Sequence, residues 1–331
     1  MTLLDNSIAV LAPAASGALG TGIAAALGVA LSPHEEVEYT GREYKLRPKG
    51  CMRGRSVYLI QSLFGDAVGS ANDRLCQLLF CINALKDAGA CSVTACVPYL
   101  AYARQDRRCA PNDPLTARYV AQLFEAVKVD RVMGFDVHNL AAFENAFRCP
   151  TVHIEAAALF ARHFAARAPG AEYAVVSPDI GGVKRAHHVR ELLEAALGGS
   201  VTFALMDKVR SATGLSASLF AGDVAGRRVI VVDDLISSGT TVLRAIDACR
   251  RAGAVRVDIA ATHASFSAEA QRLFGSDRPD SVVITDSVSL EPGFACHVGP
   301  SLTVLSAAGL FADAIRALEP DISPAAHDAV G

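Results

Sequence analysis

Arg228-Val229-Ile230-Val231-Val232-Asp233-Asp234-Leu235-Ile236-Ser237-Ser238-Gly239-Thr240-Thr241 decides the reading of this chain. An apolar run is followed by two adjacent carboxylates, and then by a Ser/Gly/Thr turn that opens a helix. The hydroxyls and backbone N–H groups of such a turn can cradle a dianion, helped by the positive end of the helix dipole. The two carboxylates can accept hydrogen bonds from sugar hydroxyls or hold a divalent cation. A sugar phosphate therefore fits the pattern. So does a plain acidic strand end with a capping turn, which any open α/β sheet also has.

Working outward, a second stretch repeats the layout. Ala84-Leu85-Lys86-Asp87-Ala88-Gly89-Ala90 precedes Ser92–Tyr99, just as Ala248-Cys249-Arg250-Arg251-Ala252-Gly253-Ala254 precedes Arg256–His263. Each reads as a helix, a glycine stop and a strand. Each also follows an earlier strand and turn: Val57–Ile60 ending in Gln61-Ser62, and Val229–Val232 ending in the two aspartates. The helix after the first of these strands is expected to start near Asn72-Asp73, with Leu75, Leu78, Leu79, Ile82 and Leu85 at helical spacing. The chain thus reads as two related α/β domains, each a mostly parallel sheet flanked by helices. Their boundary falls between Pro150 and Ala158, giving domains 1–154 and 155–318 and a tail 319–331.

The 331 residues suffice for two such domains. Lys and Arg number 31 against 34 Asp and Glu, so there is no basic footprint for nucleic acid. Nine cysteines lack metal-ligand spacing, and several (Cys76, Cys81, Cys96, Cys249) lie in apolar runs, which suggests reduced, buried thiols and a cytoplasmic protein. The uncharged segment Ser7–Leu31 is read as strand Ile8–Leu11, turn and helix rather than a signal or membrane span. Asp5 stands where a basic flank would be, and Pro13, Gly17, Gly20 and Gly22 interrupt it.

Polar clusters follow several further strands, where open α/β sheets bind ligands. Arg104-Gln105-Asp106-Arg107-Arg108 is a cationic loop whose guanidinium forks suit polyphosphate oxygens, or simply solvent. Phe135-Asp136-Val137-His138 places a histidine after a strand, as a ligand or a structural group. Ser177-Pro178-Asp179-Ile180-Gly181-Gly182 lets backbone approach an anion closely. Met206-Asp207-Lys208-Val209-Arg210 precedes Ser211–Gly222, a Ser/Ala/Gly-rich stretch expected to be a mobile loop. On an extended arm, Lys208 and Arg210 share one side and could neutralise developing charge. His187-His188 is placed on a helix surface with no role.

Taken in order, these segments resemble the ribose-phosphate pyrophosphokinase family over roughly residues 8 to 318. The Tyr99–Arg107 run together with the Asp-Asp turn is the most specific part. The resemblance implies two tandem phosphoribosyltransferase-like (Rossmann-like) domains and an enzyme using Mg2+-ATP and ribose 5-phosphate. It implies that Ser237, Ser238, Gly239, Thr240 and Thr241 hold the 5-phosphate, and that Asp233 and Asp234 hold the ribose hydroxyls. Asp179, Gly181 and Gly182 form the diphosphate loop, with Asp179 and His138 as metal ligands. Arg104, Gln105, Asp106 and Glu43 contact nucleotide; Lys208 and Arg210, with His138, are catalytic. It also implies a homo-oligomer built from dimers, with no nucleic-acid or membrane partner. The family's Phe-x-Asp-Gly-Glu segment corresponds to Tyr39-Thr40-Gly41-Arg42-Glu43, keeping only the Glu. Val209 replaces the first of two arginines, and Cys109–Pro114 lacks a Lys-Ser-Arg run tied to regulation by phosphate. A regulatory paralogue without catalysis, or a phosphoribosyltransferase, are the alternatives.

Overall fold

A computed structural model describes residues 7–210, 216–275, 278–291 and 301–319, together with Phe294 and Val298; side chains of 207–219 and of Ala268 are outside the description. The chain falls into two compact units. Among the described residues, the first takes the chain up to Ile154, Ser287–Ser289 and the chain from Ser306 on; the second takes Glu155–Asp286 and Leu290–Leu305.

In the first unit, β1 (Ile8–Leu11), β4 (Ser56–Ile60), β5 (Ser92–Val97), β6 (Arg131–Phe135) and β7 (Thr151–Ile154) form a parallel sheet in that order. β2 (His34–Glu38) and β3 (Tyr44–Pro48) form a separate antiparallel hairpin. In the second unit, β8 (Tyr173–Ser177), β11 (Arg228–Ile236), β12 (Arg256–Ala264), β13 (Ser281–Thr285) and β14 (Leu302–Leu305) repeat the same order. β9 (Thr202–Arg210) joins the other side of β8 in parallel, and β10 (Ser216–Ala221) pairs antiparallel with β9. A parallel bridge from Val10 to Leu31 marks the position in the first sheet that β9 occupies in the second.

The duplication reaches individual hydrogen bonds. α2 (Ala71–Asp87) ends with Gly89 N–H on Lys86 C=O and Ala90 N–H on Leu85 C=O; α7 (Thr240–Arg251) ends with Gly253 on Arg250 and Ala254 on Cys249. This is the Schellman closure, and φ of 83° and 89° at the two glycines is why glycine stands there. Gly54 donates to Gly89 C=O as Gly226 donates to Gly253 C=O.

Further helices among the described residues include α1 (Gly17–Leu27), α3 (Thr116–Ala126), α4 (Leu140–Ala146), α5 (Ala157–Arg167), α6 (Val183–Leu197) and α8 (Ala308–Leu318). Each unit has its own core. Leu59, Leu78, Ile82, Val93, Phe124 and Val132 fill the first, and Val176, Val231, Ile246, Val257 and Ile284 the second, all fully buried. At about 25 cal/mol per Å2 of apolar surface, such side chains give the largest favourable contribution to folding.

Four expectations change. α8, assigned by linear order to the second domain, packs on α1 in the first unit; Phe311 meets Phe135 edge-on at 5.6 Å. Its amphipathic period shows that it needs a core, but not which one. α2 starts at Ala71, a residue or two before the expected Asn72-Asp73, because Ser70 is the cap. Its Oγ accepts from Asp73 N–H, and Asp73 Oδ2 accepts from Ser70 N–H at 2.8 Å, a reciprocal capping box. Of the expected loop 211–222, Ser216–Ala221 is a strand in register with Leu205–Arg210, while 211–215 lie outside the described residues. Among the apolar-run cysteines, Cys81, Cys96 and Cys249 are buried, but Cys76 is exposed on the outer face of α2.

Candidate active site

The crossover direction reverses between β8 and β11. α6 carries the chain from β8 to β9 on one side, and α7 carries it from β11 to β12 on the other. Such a switch point leaves a crevice at the carboxyl ends of the strands. Both helices that start there are capped by glycine, Gly182 for α6 and Gly239 for α7, with no side-chain cap and no acidic residue in the first turn. Their first backbone N–H groups face the crevice end without an intrahelical acceptor, so two positive helix ends stand on neighbouring strands.

The loop before α6 is tightly built. Ser177 Oγ donates to Asp179 C=O at 2.6 Å, and Gly182 N–H donates to Asp179 Oδ1 at 3.0 Å. A Cβ on Gly182 would stand 2.9 Å from Ser177 Oγ, and one on Gly181 would stand 3.3 Å from Asp179 Oδ1. Only glycine lets the loop fold this closely on its own carboxylate.

The turn before α7 is held from beneath. Ser265 N–H donates to Ile236 C=O at 2.8 Å and Ser267 N–H to Ser237 C=O at 3.3 Å. Gly239 has φ of 74°, and a Cβ on it would lie 2.8 Å from Leu273. Ser238 and Thr240 hydroxyls bond each other at 3.0 Å on the exposed side.

Between the two helix starts lie Asp233 and Asp234. Asp234 N–H donates to Asp233 Oδ1 at 2.8 Å. Burial pushes the Asp233 acid well above the usual carboxylate range, and the neighbouring Asp234 and then Asp179 carboxylates push it further. The three carboxylates thus form one electrostatic group, stabilised by any cation or hydroxyl donor that enters.

Lys208 and Arg210 lie further along β9 than Leu205, which pairs with Ser177 at the end of β8. The strand therefore runs past the carboxyl end of its neighbour, and its register sets Lys208 opposite Ser218 and Arg210 opposite Ser216.

The first unit gathers a second polar group at the carboxyl ends of β4, β5 and β6. Asn139 caps α4, accepting from Ala142 N–H at 3.2 Å, and its Nδ2 donates to Asp106 Oδ2 at 2.6 Å. This ties the exposed loop of Arg104, Gln105 and Asp106 to the segment carrying exposed His138. The Asp136 backbone, φ 40°, makes the sharp turn out of β6, in a left-handed region that Asp tolerates better than most residues. Tyr102 OH donates to Asn72 Oδ1 at the start of α2, and Asp113 Oδ2 closes the arginine loop by accepting from Cys109 and Ala110 N–H. Glu43 is exposed at the start of β3, and Arg42 Nη1 donates to Val68 C=O at 2.9 Å, pinning the hairpin tip to the loop after β4. Both Gly41 and Arg42 have positive φ, 84° and 64°.

The structure therefore brings Asp179, Gly181, Gly182, Asp233, Asp234 and Ser237–Thr241 together in the second unit. It brings Arg104, Gln105, Asp106 and His138 together in the first. The sequence reading gave Ser177 and Asn139 no role of their own, and it passed over Leu273. An Asn directly after a strand-end His and before an apolar helix is a cap signal that could have flagged Asn139; nothing local marks Leu273. His187, expected on the surface, is half-buried and stacks on Phe203 at 4.1 Å, and His188 Nδ1 lies 3.1 Å from Glu155.

Comparison with known proteins agrees with this layout. Residues 8–127 match the model of the N-terminal domain of ribose phosphate pyrophosphokinase, and residues 144–292 that of the phosphoribosyl transferase domain. A ribose-phosphate pyrophosphokinase of Caldanaerobacter subterraneus subsp. tengcongensis is 33% identical over 98% of this chain and 98% of its own. One of Pasteurella multocida is 36% identical over 82% and 83%. The crystal structure of phosphoribosylpyrophosphate synthetase from Mycobacterium smegmatis superposes with a TM-score of 0.83 at 32% identity, covering 96% of this chain and 100% of that one. With a paired-domain α/β fold, a carboxylate pair between two glycine-capped helix starts, and relatives matching along nearly its whole length, the chain belongs to the ribose-phosphate pyrophosphokinase family.

Proposed function

We propose that the protein transfers the diphosphoryl group of Mg2+-ATP to the C1 hydroxyl of ribose 5-phosphate, giving phosphoribosyl diphosphate and AMP. The observation that carries this is the pair of glycine-capped helix starts on neighbouring strands with Asp233 and Asp234 between them. In this reading the Ser237–Thr241 turn and the start of α7 take the 5-phosphate. Asp233 and Asp234 accept from the ribose hydroxyls. The Asp179–Gly182 loop and the start of α6 take the diphosphate. Arg104, Gln105, Asp106 and Glu43 orient the nucleotide.

The C1 oxygen attacks the β-phosphorus in line, forming one P–O bond. The bond from the β-phosphorus to the bridging oxygen breaks, and AMP leaves with that electron pair while the hydroxyl proton passes to solvent. Lys208 and Arg210 neutralise the charge that gathers on the transferred oxygens.

The residues present suit Mg2+. The described residues hold no group of three or more His, Cys, Asp and Glu arranged to cage a metal. Mg2+ prefers one or two carboxylates plus phosphate oxygens, and the mutual repulsion at Asp233, Asp234 and Asp179 favours a cation there. Asp179 would hold it in the second unit, with His138 a separate candidate ligand in the first, and bound it would withdraw charge from the phosphate oxygens.

We further infer that the protein works in the cytoplasm as a homo-oligomer built from dimers. Free cysteines among the described residues suit a reducing compartment, and no described helix is long and apolar enough to cross a membrane.

The test is AMP formation by purified protein with Mg2+, using ATP, GTP and CTP separately. Release of AMP from ATP that requires ribose 5-phosphate supports the proposal. GTP or CTP as the only effective donor would mean that the hairpin change at Gly41 has redirected the nucleotide site. Folded protein inactive with every donor would overturn the proposal in favour of a regulatory paralogue. Lys208→Ala should lower kcat by about a hundredfold; unchanged turnover would remove Lys208 from the chemistry.

A further inference from the structure

The Ser237–Thr241 turn rests on a floor that lies outside the residues assigned to substrate. Residues Ala268–Phe274 form a 3-10 helix, and its fully buried Leu273 sits where a side chain on Gly239 would be. The backbone just before this helix already holds the turn through Ser265 and Ser267. The helix is bracketed by Phe266 and Phe274, whose rings meet edge-on at 5.7 Å. A third ring, Phe294, comes from a distant part of the chain. It stacks on Phe266 at 4.7 Å with 14° between planes, and meets Phe274 edge-on at 5.8 Å. Each ring therefore contacts both others, in the offset-stacked and edge-on geometries that aromatic quadrupoles favour.

A short 3-10 helix has poor hydrogen-bond geometry and is weak on its own. Here its two ends are clamped through one ring that belongs to neither end. A clamp on the floor fixes the height of Leu273. That fixes where Gly239 can sit, and Gly239 is the residue whose N–H vectors and helix start define the anion cradle. Phe294 acts through Phe266 and Phe274.

We propose that Phe294, with Phe266 and Phe274, is a positioning device for the sugar-phosphate turn and sets the affinity for ribose 5-phosphate without taking part in nucleotide binding. This rests on the reading of the turn as the 5-phosphate site.

The experiment is steady-state kinetics of Phe294→Ala and Phe294→Tyr beside wild type, with ribose 5-phosphate and ATP varied separately, and ribose 5-phosphate binding read by calorimetry. Loss of two ring contacts should raise KM and Kd for ribose 5-phosphate roughly tenfold in Phe294→Ala. KM for ATP and kcat at saturating sugar should stay within about twofold of wild type, since those groups stand elsewhere. Phe294→Tyr keeps the ring and should restore most of the affinity. An active wild type in which Phe294→Ala leaves KM for ribose 5-phosphate unchanged would overturn the inference. So would an equal rise of both KM values, or failure of the tyrosine variant to recover affinity, since either marks a general packing role. A wild type that binds ribose 5-phosphate yet forms no AMP would sink the proposed reaction instead, and calorimetry on the variants would still decide the role of Phe294.

Discussion

Gly239→Ala probes the anion turn with an internal control. Gly239 has φ of 74° and Gly226, in the same unit, has φ of 73°. An alanine at either position adopts the left-handed region at a cost of about 1–2 kcal/mol. Nothing lies within 4 Å of a Cβ on Gly226, whereas one on Gly239 meets Leu273 Cγ and Cδ1 at 2.8 Å. Leu273 is fully buried, so it cannot swing out into solvent, and overpacking of this kind adds about 1–3 kcal/mol. Gly226→Ala should therefore lose roughly 1–2 kcal/mol and Gly239→Ala about 2–5 kcal/mol. With urea m-values of about 1–3 kcal/mol per M, the Gly239 variant should unfold at a midpoint lower by roughly another 1 M. Moving the turn should also raise KM for ribose 5-phosphate by about ten- to a hundredfold, while the Gly226 variant keeps the wild-type value. Equal urea midpoints for the two variants, or a wild-type KM in Gly239→Ala, would refute the argument that Leu273 sets the turn.

Asn139→Ala removes both the α4 cap and the bond to Asp106, so about 1 kcal/mol of stability should be lost, and KM for ATP should rise severalfold with KM for ribose 5-phosphate unchanged; separate saturation curves decide this. Asp66 accepts from Arg74 Nη2 through both oxygens, at 3.0 and 2.9 Å, and Arg74 is buried. Burial raises the Asp66 pKa, but the Gly69 and Val68 N–H groups and then Arg74 outweigh it and hold the acid below its usual range. Its contribution is therefore present above about pH 4 and lost as pH falls through the lower native value. Asp66→Asn should cost about 2–3 kcal/mol at neutral pH, and its deficit should vanish in acid, as seen in urea titrations across that range. For Asp233 the sign is opposite. With its native pKa raised, stability falls as pH rises from the ordinary carboxylate range towards the native value. Asp233→Asn should thus unfold at a higher temperature than wild type near neutrality while losing activity, and a lower melting temperature would contradict the burial argument.

The parallel sheets, the duplication and the carboxylate turn were legible because they are local. Apolar runs, glycine stops and polar strand ends repeat at matching places along the chain. Strand β10 was not legible, because Ser216-Ala217-Ser218-Leu219-Phe220-Ala221 has loop composition, and it becomes a strand through pairing with β9, an instance of context overriding propensity. The acidic strand His34–Glu38 was missed for a related reason. Its Glu36 is made tolerable by Tyr44 OH, His34 Nε2 and Ala14 N–H, each at 2.7 Å; His34 belongs to the strand itself, but Tyr44 and Ala14 come from two other points in the chain. Leu273 has no motif at all; its role comes from standing under a glycine more than thirty positions earlier.

The return of α8 to the first unit has a consequence for synthesis. α1 and β1 are among the first elements to leave the ribosome, yet the helix that covers α1 is the last described one to be made. Gly22 leaves room for Ala308, whose Cβ would stand 3.0 Å from a side chain there, and Arg316 donates to Ala26 C=O. At about 5–20 residues per second, the apolar face of α1 waits on the order of tens of seconds for its cover. The second unit can thus complete its core before the first, so the order of folding inverts the order of translation. A nascent chain stalled before Ala308 would carry an exposed α1 face, and that species is the one a chaperone would meet.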